Sequence, residues 1–81
     1  MNADLILEGL GGWDNIALLE SCVTRLRVEV VNPAFVVESR LREAGAYGVV
    51  RSDNVVQVVV GLCARDLTAQ LAAYHNQFRT S

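Results

Sequence analysis

Apolar positions recur along this chain with two different periods, and the changes of period mark its elements. Ala3, Ile6, Leu7 and Leu10 fall at i, i+3, i+4 and i+7, one stripe of a helix over residues 3–10. Gly11-Gly12 closes it, because glycine readily takes the left-handed conformation of a helix C-cap. Residues 15–21 form a weaker strand candidate. Over residues 24–31 the period drops to two. There Leu26, Val28 and Val30 alternate with Arg25, Arg27 and Glu29, so a strand sends the two sets to opposite faces. One face is apolar, and the other carries both arginines, about 7 Å apart along the strand.

Asn32-Pro33 breaks that strand, since proline cannot donate a ladder hydrogen bond. A helix is predicted over 35–44, with Val37, Leu41 and Ala44 at i, i+4 and i+7 and Gly45 as its C-cap. Residues 48–51 and 55–61 read as a hairpin around Ser52-Asp53-Asn54, all turn formers. Gln57 is the only polar residue of its second strand, which suits a central, covered position. The last helix, 64–78, carries Leu67, Leu71, Tyr74 and Phe78 as its stripe. The predicted order is αββαββα. It is an α+β fold with antiparallel strands, helices packed on one sheet face, and the arginines on the other.

Composition changes this picture little. Eighty-one residues make one domain, 1–81, and a chain this short buries only about 60% of its unfolded surface. The core must be dense, and 52% hydrophobic residues with a single proline permit that. A net charge of −2 argues against nucleic acid as a partner. No apolar run is long enough to span a membrane, and the N-terminus lacks the pattern of a signal peptide. Two cysteines are too few for a disulfide-stapled secreted domain, so a reducing cytoplasm is expected.

The chemistry concentrates in one octet, Glu20-Ser-Cys-Val-Thr-Arg-Leu-Arg27. Cys22 stands at a strand junction among polar neighbours, and arginines follow three and five residues later. The thiolate is the nucleophilic form of cysteine, and nearby positive charge favours it. Arginine holds phosphate or carboxylate through paired hydrogen bonds. A phosphocysteine would carry close to two negative charges, which Arg25 and Arg27 are suited to balance during in-line transfer. Thr24 adds a hydroxyl. If the loop curves around the sulfur, the N–H groups of residues 23–25, with Val23 and Thr24 foremost, form an anion-binding concavity. The blander alternatives are a buried thiol, a solvated strand face and an ordinary β-branched threonine.

Other candidates carry less. Glu20 reads as a surface charge or as a carboxylate that tunes the site. Cys63 reads as structural and makes no Cys-x-x-Cys motif with Cys22. His75, the only histidine, reads as a surface residue, and no His/Cys cluster suggests a metal. No glycine cluster has the pattern of a nucleotide-binding loop, so no cofactor is expected.

These residues resemble a known family. Leu10-Gly-Gly12, Asn15-Ile16 and Cys22-Val-Thr-Arg-Leu-Arg27 are similar to the enzyme IIB domain of the glucose/N-acetylglucosamine family of the bacterial phosphoenolpyruvate-dependent sugar phosphotransferase system. Gly45-Ala46, Gly48-Val49-Val50, Asn54-Val-Val-Gln57-Val58 and Gly61 continue the likeness, which spans roughly residues 5–75. It implies a four-stranded antiparallel sheet with three helices on one face.

The resemblance also implies a relay. Cys22 would accept a phosphoryl group from a phosphohistidine on a IIA partner. It would then pass the group to a sugar bound in a membrane-embedded IIC partner, holding the chain at the inner face of the membrane. Arg25 and Arg27 match arginines implicated in delivery to sugar, and Thr24 matches the motif. Sugar choice in this family lies mainly with IIC. Where the family commonly has Asp two residues before the cysteine, this chain has Glu20, which keeps the charge. Such domains are often fused to IIC or IIA; Met1 favours a separate subunit. Two other readings are a docking module for a transcriptional regulator and a cysteine-dependent phosphatase. The phosphatase would need its arginine further from the cysteine and a helix after it.

Overall fold

The computed structural model describes residues 2–79, with side chains through residue 73. The expected order of elements is present: α1 (Ala3–Leu10), β1 (Ile16–Ser21), β2 (Arg25–Val30), α2 (Glu38–Glu43), β3 (Gly48–Ser52), β4 (Val55–Val59) and α3 (Ala64–Arg79). The four strands form one antiparallel sheet in the order β1-β2-β4-β3. The two best strand patterns, β2 and β4, are its central pair.

The alternation in β2 is realised as read. Leu26, Val28 and Val30 are buried and meet Val56, Val58 and Val60 in one core with Ile6, Leu10, Leu41, Leu67 and Leu71 from the helices. Burying each large aliphatic side chain contributes about 1.5–3 kcal/mol, so this layer is the main source of stability in so short a chain. The opposite sheet face is open, and across it run Glu20, Arg27, Gln57 and Val50 in register. The side chains of Tyr74 and Phe78, expected to extend the α3 stripe, lie outside the described residues.

One helix boundary differs from the sequence reading. The expected helix over 35–44 is instead a 3₁₀ turn, Pro33–Phe35, followed by α2 from Glu38. Asn32 caps the turn by accepting from the Ala34 N–H, and Pro33 occupies its first position, where the missing N–H costs nothing. Val36 and Val37 are extended, because the Val37 N–H leaves to donate to the Gly9 C=O at 2.7 Å.

A second difference concerns Asn15, expected in a strand and found in a 3₁₀ turn as the only buried polar residue among those described. Its Nδ2 donates to the Leu10 and Asn32 carbonyls at 2.8 and 3.1 Å. Its Oδ1 accepts from the Asn32 N–H at 2.8 Å. One side chain thus joins the end of α1 to the segment after β2. Gly11 makes room for it. Its φ of 99° closes α1, and a Cβ there would sit 2.7 Å from Asn15 Nδ2.

Candidate functional site

The pairing of β2 with β4 positions the site. The two strands are antiparallel, with Arg25 opposite Val59, so the start of β2 lies beside the end of β4. Residues preceding β2 therefore meet residues following β4. Cys22, Val23 and Thr24 form the loop between β1 and β2. The Cys22 N–H donates to the Arg25 C=O at 2.8 Å and closes the loop. The Thr24 C=O accepts two donors, the N–H groups of Val60 at 3.0 Å and Gly61 at 2.9 Å. That oxygen fastens the loop to the chain leaving β4. Among the described residues the N–H groups of Val23 and Thr24 have no protein acceptor. Such N–H groups are ready donors for an anion.

Cys22 is exposed. With Ser21 and Val23 it forms one wall of a cleft of about 490 Å³, whose other wall is Leu62, Arg65 and Asp66. Val23 and Leu62 form an apolar rim, 80% and 84% exposed. Its volume is within the usual range for small-molecule sites.

Arg25 and Arg27 do not line this cleft. They lie on the open sheet face, as the alternation predicts, and each has a polar partner there. Arg25 Nη1 donates to Gln57 Oε1 at 2.8 Å. Arg27 Nη1 is 3.1 Å from Glu20 Oε1 and 3.4 Å from Glu29 Oε2. The thiol and the two guanidiniums thus lie on different surfaces, the thiol in the cleft and the guanidiniums on the open sheet face.

Leu62, Arg65 and Asp66 were not legible as site residues. They lie far downstream of Cys22, and only the non-consecutive pairing of β2 with β4 brings them there. Cys63 is exposed and is not part of the cleft lining. The side chain of His75 lies outside the described residues. Among the described residues no group of three or more His, Cys, Asp or Glu side chains is placed to hold a metal ion. No helix among them is long and apolar enough to cross a membrane.

Residues 4–36 match the family model described as phosphotransferase system, EIIB. The chain is 49% identical over 69 residues to the N-acetylglucosamine-specific EIIB component of Streptomyces coelicolor, covering 85% of this chain and 90% of that protein. It is 45% identical over 62 residues to the N-acetylglucosamine-specific EIICB component of Bacillus subtilis, covering 75% of this chain but 14% of that longer protein. Another Bacillus subtilis relative, 45% identical over 56 residues, carries the matching stretch within an EIICBA component. Among solved structures, a domain of the PTS IIabc component from Clostridium difficile shares the fold. Its TM-score is 0.70 at 22% identity, over 95% of this chain and 78% of that one.

Proposed function

The chain belongs to the EIIB family of the phosphotransferase system, whose components are phosphotransferases of sugar uptake, and on that premise we propose that Cys22 is the residue that carries the phosphoryl group. The observation that bears most weight is the place of its thiol: exposed, on a loop tied at its base, at the mouth of a cleft with an apolar rim. The Cys22 thiolate, its proton already given to solvent, attacks the phosphorus of a phosphohistidine on a IIA partner. The S–P bond forms as the N–P bond breaks, and the imidazole leaves with its electron pair. In the second step a sugar hydroxyl oxygen attacks the same phosphorus. The O–P bond forms, the Cys22 thiolate leaves, and the hydroxyl proton passes to solvent.

Both steps move phosphoryl between partners with little covalent work for the domain itself, so positioning and charge stabilisation carry the catalysis. The Val23 and Thr24 N–H groups cradle the phosphoryl oxygens. Arg25 and Arg27 meet the group as it leaves for the sugar. The partners follow from relatives in which the B segment is joined to C, or to C and A, within one chain. Through IIC the domain works at the inner face of the membrane. N-acetylglucosamine is the sugar to test first, since it is named for the Streptomyces coelicolor EIIB and the Bacillus subtilis EIICB relatives.

The test is intact mass after incubation with phosphoenolpyruvate, enzyme I, the phosphocarrier protein and a IIA partner. One phosphoryl group is gained by the wild type and by Cys63→Ser, and none by Cys22→Ser. Modification that persists in Cys22→Ser, or no gain in the wild type with a competent IIA, overturns the reading.

A further inference from the structure

We propose that Arg65 is a third cationic contact for the phosphoryl group, holding it on Cys22 between arrival and departure; this rests on the phosphocysteine reading above. Three observations carry it. First, Arg65 and Cys22 stand on opposite walls of the same cleft. Second, the arginines of the octet are outside that cleft, each guanidinium already engaged by Gln57, or by Glu20 and Glu29. Third, the Arg65 guanidinium forms no ion pair or hydrogen bond among the described residues, so it is free to turn toward an anion.

The charge balance of the cleft points the same way. Empty, it contains Arg65, Asp66 and the Cys22 thiol as its charged and titratable groups. Loaded, it gains a phosphoryl group of nearly two negative charges beside the Asp66 carboxylate. Among the described residues Arg65 is the only lining cation to offset them, and its planar fork suits two phosphoryl oxygens at once. A division of labour follows. Arg65 holds the group on the cleft side of the loop, while Arg25 and Arg27 wait on the sheet side for delivery.

The experiment is a pH titration of the phosphocysteine ³¹P resonance in the relay-loaded protein. A nearby cation favours the dianion, so removing it raises the apparent pKa of the phosphoryl group. In Arg65→Gln and in Arg65→Met the midpoint rises by about half a unit, about threefold in proton affinity. Arg65→Lys recovers most of the wild-type midpoint. Asp66→Asn shifts it the opposite way, which general damage to the fold would not do. Midpoints for Arg65→Gln and Arg65→Met that superimpose on the wild type overturn the inference and leave Cys22 as carrier. No phosphocysteine resonance in a wild type given a competent donor removes both.

Discussion

Glu20 and Arg27 face each other across the β1–β2 ladder, with Arg27 Nη1 3.1 Å from Glu20 Oε1. The carboxylate two residues before the proposed nucleophile is therefore the partner of an arginine proposed for delivery. Both side chains are well exposed, at 53% and 38%. Such pairs contribute little to stability, about 0–1 kcal/mol, so a functional reason for the pair is the more informative one to test.

Glu20→Gln releases Arg27 from one of its two carboxylates and removes a negative charge near the loaded site. The expected result is a loading equilibrium moved toward phosphocysteine by about threefold, since a factor of that size needs only about 0.6 kcal/mol. Quantifying loaded and unloaded protein against a fixed donor ratio checks it. The thermal midpoint stays near wild type.

Arg25→Lys and Arg27→Lys retain charge but lose the planar fork that binds two oxygens together. Loading of Cys22 proceeds at close to the wild-type rate. Delivery to sugar slows by about tenfold or more, about 1.4 kcal/mol of transition-state stabilisation. Single-turnover assays of the two half-reactions separate the effects. Equal losses in both steps contradict the assignment.

Asn15→Leu leaves the Leu10 and Asn32 carbonyls and the Asn32 N–H without the partner that now satisfies all three. The bond to the Leu10 carbonyl is buried, and a buried polar group stripped of its partner costs about 1–3 kcal/mol, while the part-buried Asn32 groups cost less. A loss of about 3 kcal/mol overall is expected, read from urea unfolding. The β1–β2 loop lies at the other end of these strands, so the loading rate per folded molecule is unchanged.

Gly9→Ala places a Cβ 2.7 Å from Leu41 Cγ and 3.0 Å from the Leu41 backbone nitrogen, where α1 crosses α2. Helix propensity favours alanine by about 1 kcal/mol, but overpacking costs about 1–3 kcal/mol. Net destabilisation is expected because backbone cannot move aside as a side-chain end does. Combining it with Leu41→Ala gives a loss smaller than the sum of the two, measurable in a double-mutant cycle.

Much of the fold was legible because its central strands signal themselves twice, by alternation in β2 and by continuous apolarity in β4. The helix after Pro33 was mistimed because periodicity at Val37, Leu41 and Ala44 does not reveal that the Val37 N–H bonds Gly9 instead of its own helix. The buried role of Asn15 was hidden for a similar reason, since its partners lie on two other segments. At the candidate site, Cys22 and the two arginines stand out from eight contiguous residues. Arg65 does not, because nothing local announces that β4 runs beside β2 instead of beside β1. The first charged pair after an apolar central strand, Arg65-Asp66, is the signal that such a pairing would make meaningful.

The carbonyl oxygen of Thr24, shared by the N–H groups of Val60 and Gly61, has a mechanical consequence. Both walls of the cleft hang from this one atom: the cysteine loop precedes it, and the turn into α3 starts from its two donors. Displacing either wall loads the same two hydrogen bonds, so the cysteine loop and the start of α3 are coupled through the Thr24 carbonyl.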